Sequence, residues 1–304
     1  MDAINANRAS AAPAGSAGHA AVASAAALPA AGSPGKTARA GMPAAAPASR
    51  PPRTWTAARL LPLIGPLALY VVWDLVVRLQ LVSPVLLPTP GATLVALAKG
   101  MAGGPLLGDF LASVSRTLQA FVIAGVIGVP LGVLLGSNEK AYRSVEFLVD
   151  FFRSTPSSAL IPLFLMIFGV TDMNKIAIAA FAAVLVILFN SAYGVINARK
   201  QRVMAARVMG ASRWQIFKDV LIWESLQPTF VGLRSGVSMA LVIVIVAEMF
   251  IGSDSGLGNR IINAQQVLNV RDMYASILAA GALGYVLNIL FLVLEKRVVH
   301  WSGR

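Results

Sequence analysis

Few residues of this chain have types and positions that could do chemistry. There is no cysteine, which excludes disulfides, thiolate metal sites and cysteine nucleophiles. The two histidines, His19 and His300, stand far from any carboxylate cluster, so neither a metal site nor a histidine general base is expected. No G-x-x-x-x-G-K-[ST] phosphate loop and no G-x-S-x-G nucleophile turn occurs, so ATP chemistry and acyl transfer are not expected here. What remains are polar groups set in apolar stretches, where an ionisable side chain is costly and defaults to a functional reading. Glu248 closes one such stretch and needs a partner, because a carboxylate at a helix C-terminus opposes the macrodipole. A backbone amide in the turn 253–258 can supply one, and the group reads equally as gate or as structural anchor. Asn190, Ser191, Tyr193 and Ser238 are candidates for lining a path, although interhelical hydrogen bonding is the commoner use of such residues. Asp74 and Arg78 have the i, i+4 spacing of a self-neutralising pair.

The elements that must position these groups are hydrophobic spans. Of the 304 residues, 57% are hydrophobic and 12% charged, against about 25% charged in an ordinary soluble domain. That deficit calls for lipid as solvent. From Leu60 onward six apolar stretches follow, at about 60–79, 117–136, 158–170, 176–196, 236–251 and 273–294. The third is short for a span of roughly 20 residues and is expected to borrow turns from the preceding FLVDFFRSTP. The segment PTPGATLVALAKGMAGG reads as a short amphipathic helix at the interface. The predicted fold class is therefore an all-α polytopic membrane protein with six transmembrane helices.

Residues 1–54 are Ala, Pro, Gly and Ser with scattered Arg and Lys. They carry almost no large apolar side chains and are expected to be a disordered tail; the Ala21–Ala31 stretch lacks the Leu-rich region of a signal peptide. The net charge of +12 does not require a nucleic-acid partner, because the basic residues fall in tails and connections. Nineteen Lys and Arg lie on one side of the six spans and 6 on the other. The positive-inside rule then places both termini and the even-numbered connections in the cytoplasm.

The longest of those connections, 197–234, is NARKQRVMAARVMGASRWQIFKDVLIWESLQPTFVGLR. Gly210 is suited to end a helix in the left-handed conformation. Ser212 and Gln215 have the spacing of a capping box that opens the next. Pro228 is expected to stop that second helix by removing a donor. The product is a helical hairpin with an apolar face, of a kind that fits a groove on a partner.

AARVMGASRWQIFKDV resembles the cytoplasmic loop of ABC importer permeases, whose pattern runs Glu-Ala-Ala, three residues, Gly, nine residues, Ile-x-Leu-Pro. Ala205, Ala206 and Gly210 are in register, and Val220 and Ile222 take aliphatic positions; Met204 stands for the Glu and Trp223 for the Pro. LLPTPGATLVAL, LASVSRTLQAFVIAGVIGVPLGVLLG, STPSSALIPLFLMIFGV and VAEMFIGSDSGLGNRI are similar, in order, to successive segments of the nitrate, sulfonate and taurine permeases. The resemblance runs from about Leu60 to the C-terminus, within a permease domain expected at 55–304, and implies a dimeric permease on two cytoplasmic ATPase subunits, fed by a periplasmic substrate-binding protein. By the same resemblance, the chain is no enzyme and holds no cofactor or metal, ATP being bound by the partner. Ala205, Ala206, Gly210, Ala211, Ser212, Arg213 and Trp214 would couple it to the ATPase, and the cargo would be a small sulfonate, taurine or nitrate type solute. An ion-gradient-driven transporter or channel is the alternative, and it would call for charged relays or an inverted repeat.

Overall fold

The computed structural model describes residues 57–83 and 85–299; the tail expected at 1–54 lies outside them. Every regular element described is helical. In chain order these are α1 (Ala57–Arg78), α2 (Pro90–Met101), α3 (Pro105–Ser137), α4 (Glu139–Ser154), α5 (Ile161–Phe168), α6 (Asp172–Ile196), α7 (Lys200–Val208), α8 (Arg213–Ile216), α9 (Ile222–Phe250), α10 (Leu257–Gln266) and α11 (Val270–Val298).

The middle of the bundle is built on small residues. Gly128, Gly132 and Gly136 recur every four positions along α3, and each leaves α3 touching α6: a Cβ on Gly132 would lie 2.7 Å from the Ser191 Cβ, and one on Gly136 2.9 Å from the Ala192 Cα. Close approach of this kind is how helices associate where lipid offers no hydrophobic gradient. On an adjoining face of α6, Gly232 of α9 meets Asn190 and Gly236 meets Ile187. Ala179, Ala183, Ile187, Ala240 and Val244 fill the core between the helices.

The pairings fix direction. Along α3 and α6, Arg116 meets Asp172 at one end and Gly136 meets Ala192 at the other, so these helices run parallel. A parallel pair needs a return crossing between them, and only residues 139–168 can make it. They do so as a broken span: α4 and the segment Ser157–Phe168 meet at 90°. Pro156 holds Thr155 extended, with ψ 124, and the chain restarts through a 3-10 turn at Ser157–Leu160. The third expected span thus borrows from FLVDFFRSTP, but around a right-angle bend. Among the described residues four helices are long and apolar enough to cross a membrane, or five with this bent pair, against the six read from sequence. The remaining stretch falls on α1, 22 residues long.

Two boundaries differ from the sequence reading. The second span begins at Pro105, not near 117, because a polar stripe on α3 is buried rather than left in a connection. α2 packs on α11 and α3, with Thr89 capping its first turn. Pro228 does not end a helix: Arg213–Phe250 runs as one helix of 38 residues, with a π-helical turn at Phe217–Leu221. Proline is tolerated inside a membrane helix where neighbours pack the freed region. Here Gly194 of α6 brings its backbone against Pro228 and Ser225.

Candidate functional site

Two regions gather the polar and exposed residues, one at each end of the bundle. At one end lies the hairpin. α7 finishes at Val208, and Gly210 has φ +83 with nothing near its missing Cβ. Both halves of the capping box are formed: the Ser212 hydroxyl accepts from the Gln215 amide at 3.3 Å, and the Gln215 side chain accepts from the Ser212 amide at 2.8 Å. Arg202 of α7 pairs with Glu224 of α9, which closes the two arms on each other. Ala206 and Ile216 are buried between them.

The tip is apolar and uncovered. Val208 is 84% exposed, Met209 79% and Trp214 68%, with Trp214 stacked on Phe217 at 5.5 Å between ring centroids. Ala205, Ser212 and Arg213 are also exposed, and Ala211 is half-buried. A cleft of about 970 Å³ separates the hairpin from the end of α3, with Leu134, Ser137, Arg207, Arg213 and Phe217 on its walls.

At the far end lies a buried ionic network. Glu248 is 0% exposed and Arg116 5%. The Glu248 carboxylate accepts from Arg116 Nη1 at 2.7 Å, from the Ser113 hydroxyl at 2.8 Å and from the Gly258 amide at 2.9 Å. Arg116 also donates to the Ser255 carbonyl at 2.8 Å and pairs with Asp172 at 2.9 Å. Lys175 joins Asp172 to the Ser253 hydroxyl, each at 3.1 Å. Three successive amides that open α10 are taken by side chains of other helices: Gly256 by Asp109, Leu257 by Ser113 and Gly258 by Glu248, all at 2.9 Å. These are the orphan donors of a helix start, satisfied here from α3 and α9. Glycine is required at Gly256, where φ is +124 and a Cβ would strike the Glu248 carboxylate.

Arg260 of α10 continues the network to Asp109, at 3.1 Å, and to Asp272 of α11, at 2.8 Å. Burial works against its charge, and the hydrogen bonds to Asp272 and Asp109 more than offset this, so its pKa is raised.

The sequence candidates separate on this geometry. Glu248 has the expected amide partner in the 253–258 turn, at Gly258, and its charge is matched by Arg116. Asn190 donates to Val186 of its own helix at 2.8 Å, Ser238 to Arg234 at 3.2 Å, and Tyr193 is exposed and stacked on Phe189. The Ser191 hydroxyl is buried with no hydrogen-bond partner among the described residues. Among the described residues none of the four makes an interhelical hydrogen bond; Ser191 and Asn190 face glycines, Gly132 of α3 and Gly232 of α9. They are not gathered with Glu248. Asp74 and Arg78 pair at 2.5 Å. The residue that sequence reasoning missed is Arg116, assigned to a connection; its spacing from Asp109 and Ser113, seven and three positions, was the signal of one helix face.

Comparison with known proteins decides the family. Residues 128–301 match the family model described as binding-protein-dependent transport system inner membrane component. The chain belongs to this family. The match spans the hairpin, α9 and the glycine-rich part of α3, and it makes the chain a permease component of an ABC transport system rather than an enzyme. A probable ABC transporter permease of Brucella abortus (strain 2308) is 33% identical over 220 residues, 72% of this chain and 88% of the relative. The taurine transport system permease of Escherichia coli (strain K12) is 28% identical over 256 residues, 82% of this chain and 93% of the relative. Among solved structures, the inward-facing MetNI methionine ABC transporter matches with a TM-score of 0.54 at 23% identity, covering 66% of this chain and 97% of that one. This last likeness concerns the fold.

Proposed function

We propose that this permease works as one half of a dimer on a cytoplasmic ATPase pair. In this reading the hairpin 197–234 is its coupling element and a separate binding protein delivers the solute. The observation that carries the reading is the hairpin tip. Val208, Met209 and Trp214 put large apolar surface into water around a left-handed glycine, and exposed apolar clusters with a polar rim mark partner sites. The capping box and the Arg202–Glu224 pair hold that tip in one shape, which lowers the entropy lost on docking. The concentration of Lys and Arg at 199–218 supports a cytoplasmic hairpin and cytoplasmic termini. ATP binding and hydrolysis then belong to the partner subunit.

The cargo of this reading is a small anionic or zwitterionic solute of the sulfonate, taurine or nitrate type. The taurine permease of Escherichia coli among the relatives supports it. So does the pairing of Glu248 with Arg116, which leaves that carboxylate no free negative charge to repel an anion.

Gly210→Trp tests the coupling role. A side chain at φ +83 adds strain of about 1–2 kcal/mol at the tip and blocks entry into a groove, while the helices in the membrane are untouched. The variant is expected to insert at normal levels, lose the co-purifying ATPase and lose transport. Full ATPase recovery with normal transport would remove the hairpin from the mechanism.

A further inference from the structure

The helix that begins at the hairpin, Arg213–Phe250, has 38 residues without a break; at 1.5 Å per residue it is about 57 Å long. Its far end carries Glu248. An unbroken helix transmits displacement along its axis only if its far end grips something, and Glu248 is where it grips.

The grip is multiple and buried. Through Arg116 and Ser113 it holds α3. Arg116 extends it to Asp172 at the start of α6 and to Ser255 in the turn before α10. Through the Gly258 amide it holds the first turn of α10 directly. Arg260 then carries α10 to Asp272 of α11. Arg116 is the hub, since its two terminal nitrogens reach partners on α9, α6 and the 251–256 turn together. A planar guanidinium can serve such a fork; an ammonium cannot. A buried pair in this position is a poor source of stability compared with packed apolar residues, so its use lies in fixing geometry.

We propose that Arg116 is a positioning residue that locks the far ends of α3, α6, α9 and α10 into one block. Movement of the hairpin is thereby delivered to the far end of the bundle as motion of that block, and α10 does not act as an independent flap. The inference rests on the hairpin being the coupling element.

The test uses the full chain assembled with its ATPase in proteoliposomes and supplied with its binding protein, and reads assembled complex, ATP hydrolysis per complex and solute uptake per complex. Ser113→Ala removes one bond to Glu248 and one to Leu257 but keeps the ion pair. The double variant Arg116→Met/Glu248→Gln removes both charges together and leaves neither unpaired. Both are expected to assemble and to hydrolyse ATP at the wild-type rate per complex, with uptake per complex reduced roughly tenfold in the double variant, the scale of a typical coupling free energy. Arg116→Lys, which keeps the charge but not the fork, should fall between. The inference is overturned by unchanged uptake per complex, by uptake and hydrolysis falling in parallel, or by failure of both variants to assemble, which would make the network a folding element only. Gly210→Trp read in the same assay separates the two claims. If that variant binds the ATPase and transports normally, the hairpin reading falls and this inference falls with it. If it loses the ATPase as expected, the Arg116 results bear on the network alone.

Discussion

Glu248 shows what a charge needs in order to remain in a membrane helix. Removing a carboxylate from water costs several kcal/mol even after relaxation, and here the opposing contributions are one guanidinium, one hydroxyl and one amide at 2.7–2.9 Å. The amide is available only because Gly258 has no side chain: a Cβ there would collide with the Ile245 carbonyl and lie 2.8 Å from the Glu248 Cβ. Gly258→Ala should therefore destabilise the purified protein by about 1–3 kcal/mol, the usual penalty of overpacking. Gly281→Ala, with nothing within 4 Å of its added Cβ, should not. The fraction remaining monodisperse after heating measures both, and equal midpoints would contradict the account. Half of this site was legible in the sequence. A carboxylate at a helix C-terminus needs donors, and a glycine-bearing turn a few residues on can supply one. Arg116 was hidden because it lies 132 positions away in the chain and the hydropathy pattern puts it outside the span.

At the scale of elements, the spacing of glycine carries more information than hydropathy does. Hydropathy located the apolar stretches but started α3 too late, and the missing donor of Pro228 was read as a helix end. Neither a hydropathy window nor a local proline rule can see that a polar or proline-bearing turn is packed by a neighbouring helix. The Gly128, Gly132 and Gly136 repeat was in plain view, and it is what brings α3 onto α6. A Cβ on Gly132 would lie 2.5 Å from the Leu188 carbonyl oxygen, whereas one on Gly125 meets only a Leu233 methyl at 3.7 Å. Gly132→Ala should accordingly reduce the yield of folded, detergent-extracted protein sharply, and Gly125→Ala should leave it near wild type. Similar yields of the two would show that α3 and α6 are not held by this close approach. The hairpin was the element most completely read in advance, because its turn chemistry is local: Gly210, Ser212 and Gln215 act on backbone within a few residues of themselves.

For the whole molecule, the two polar regions at opposite ends of the bundle are joined by the 38-residue helix Arg213–Phe250. One end carries an exposed apolar tip, and the other ties four helices together through buried charge. That division suits a protein that converts work done on one face into rearrangement at the other, and it gives no sign of a mid-membrane relay: the buried ions described cluster at one end, around Arg116 and Lys175. The alternative, a carrier driven by an ion gradient, makes the opposite demand. Solute uptake into proteoliposomes containing this chain, its ATPase and its binding protein separates them most directly. With a sulfonate such as taurine as the solute, uptake should require both ATP on the hairpin side and the binding protein on the other, and should persist when ion gradients are collapsed. Uptake by the chain alone, without ATPase or ATP and abolished by collapsing the gradient, would contradict the account.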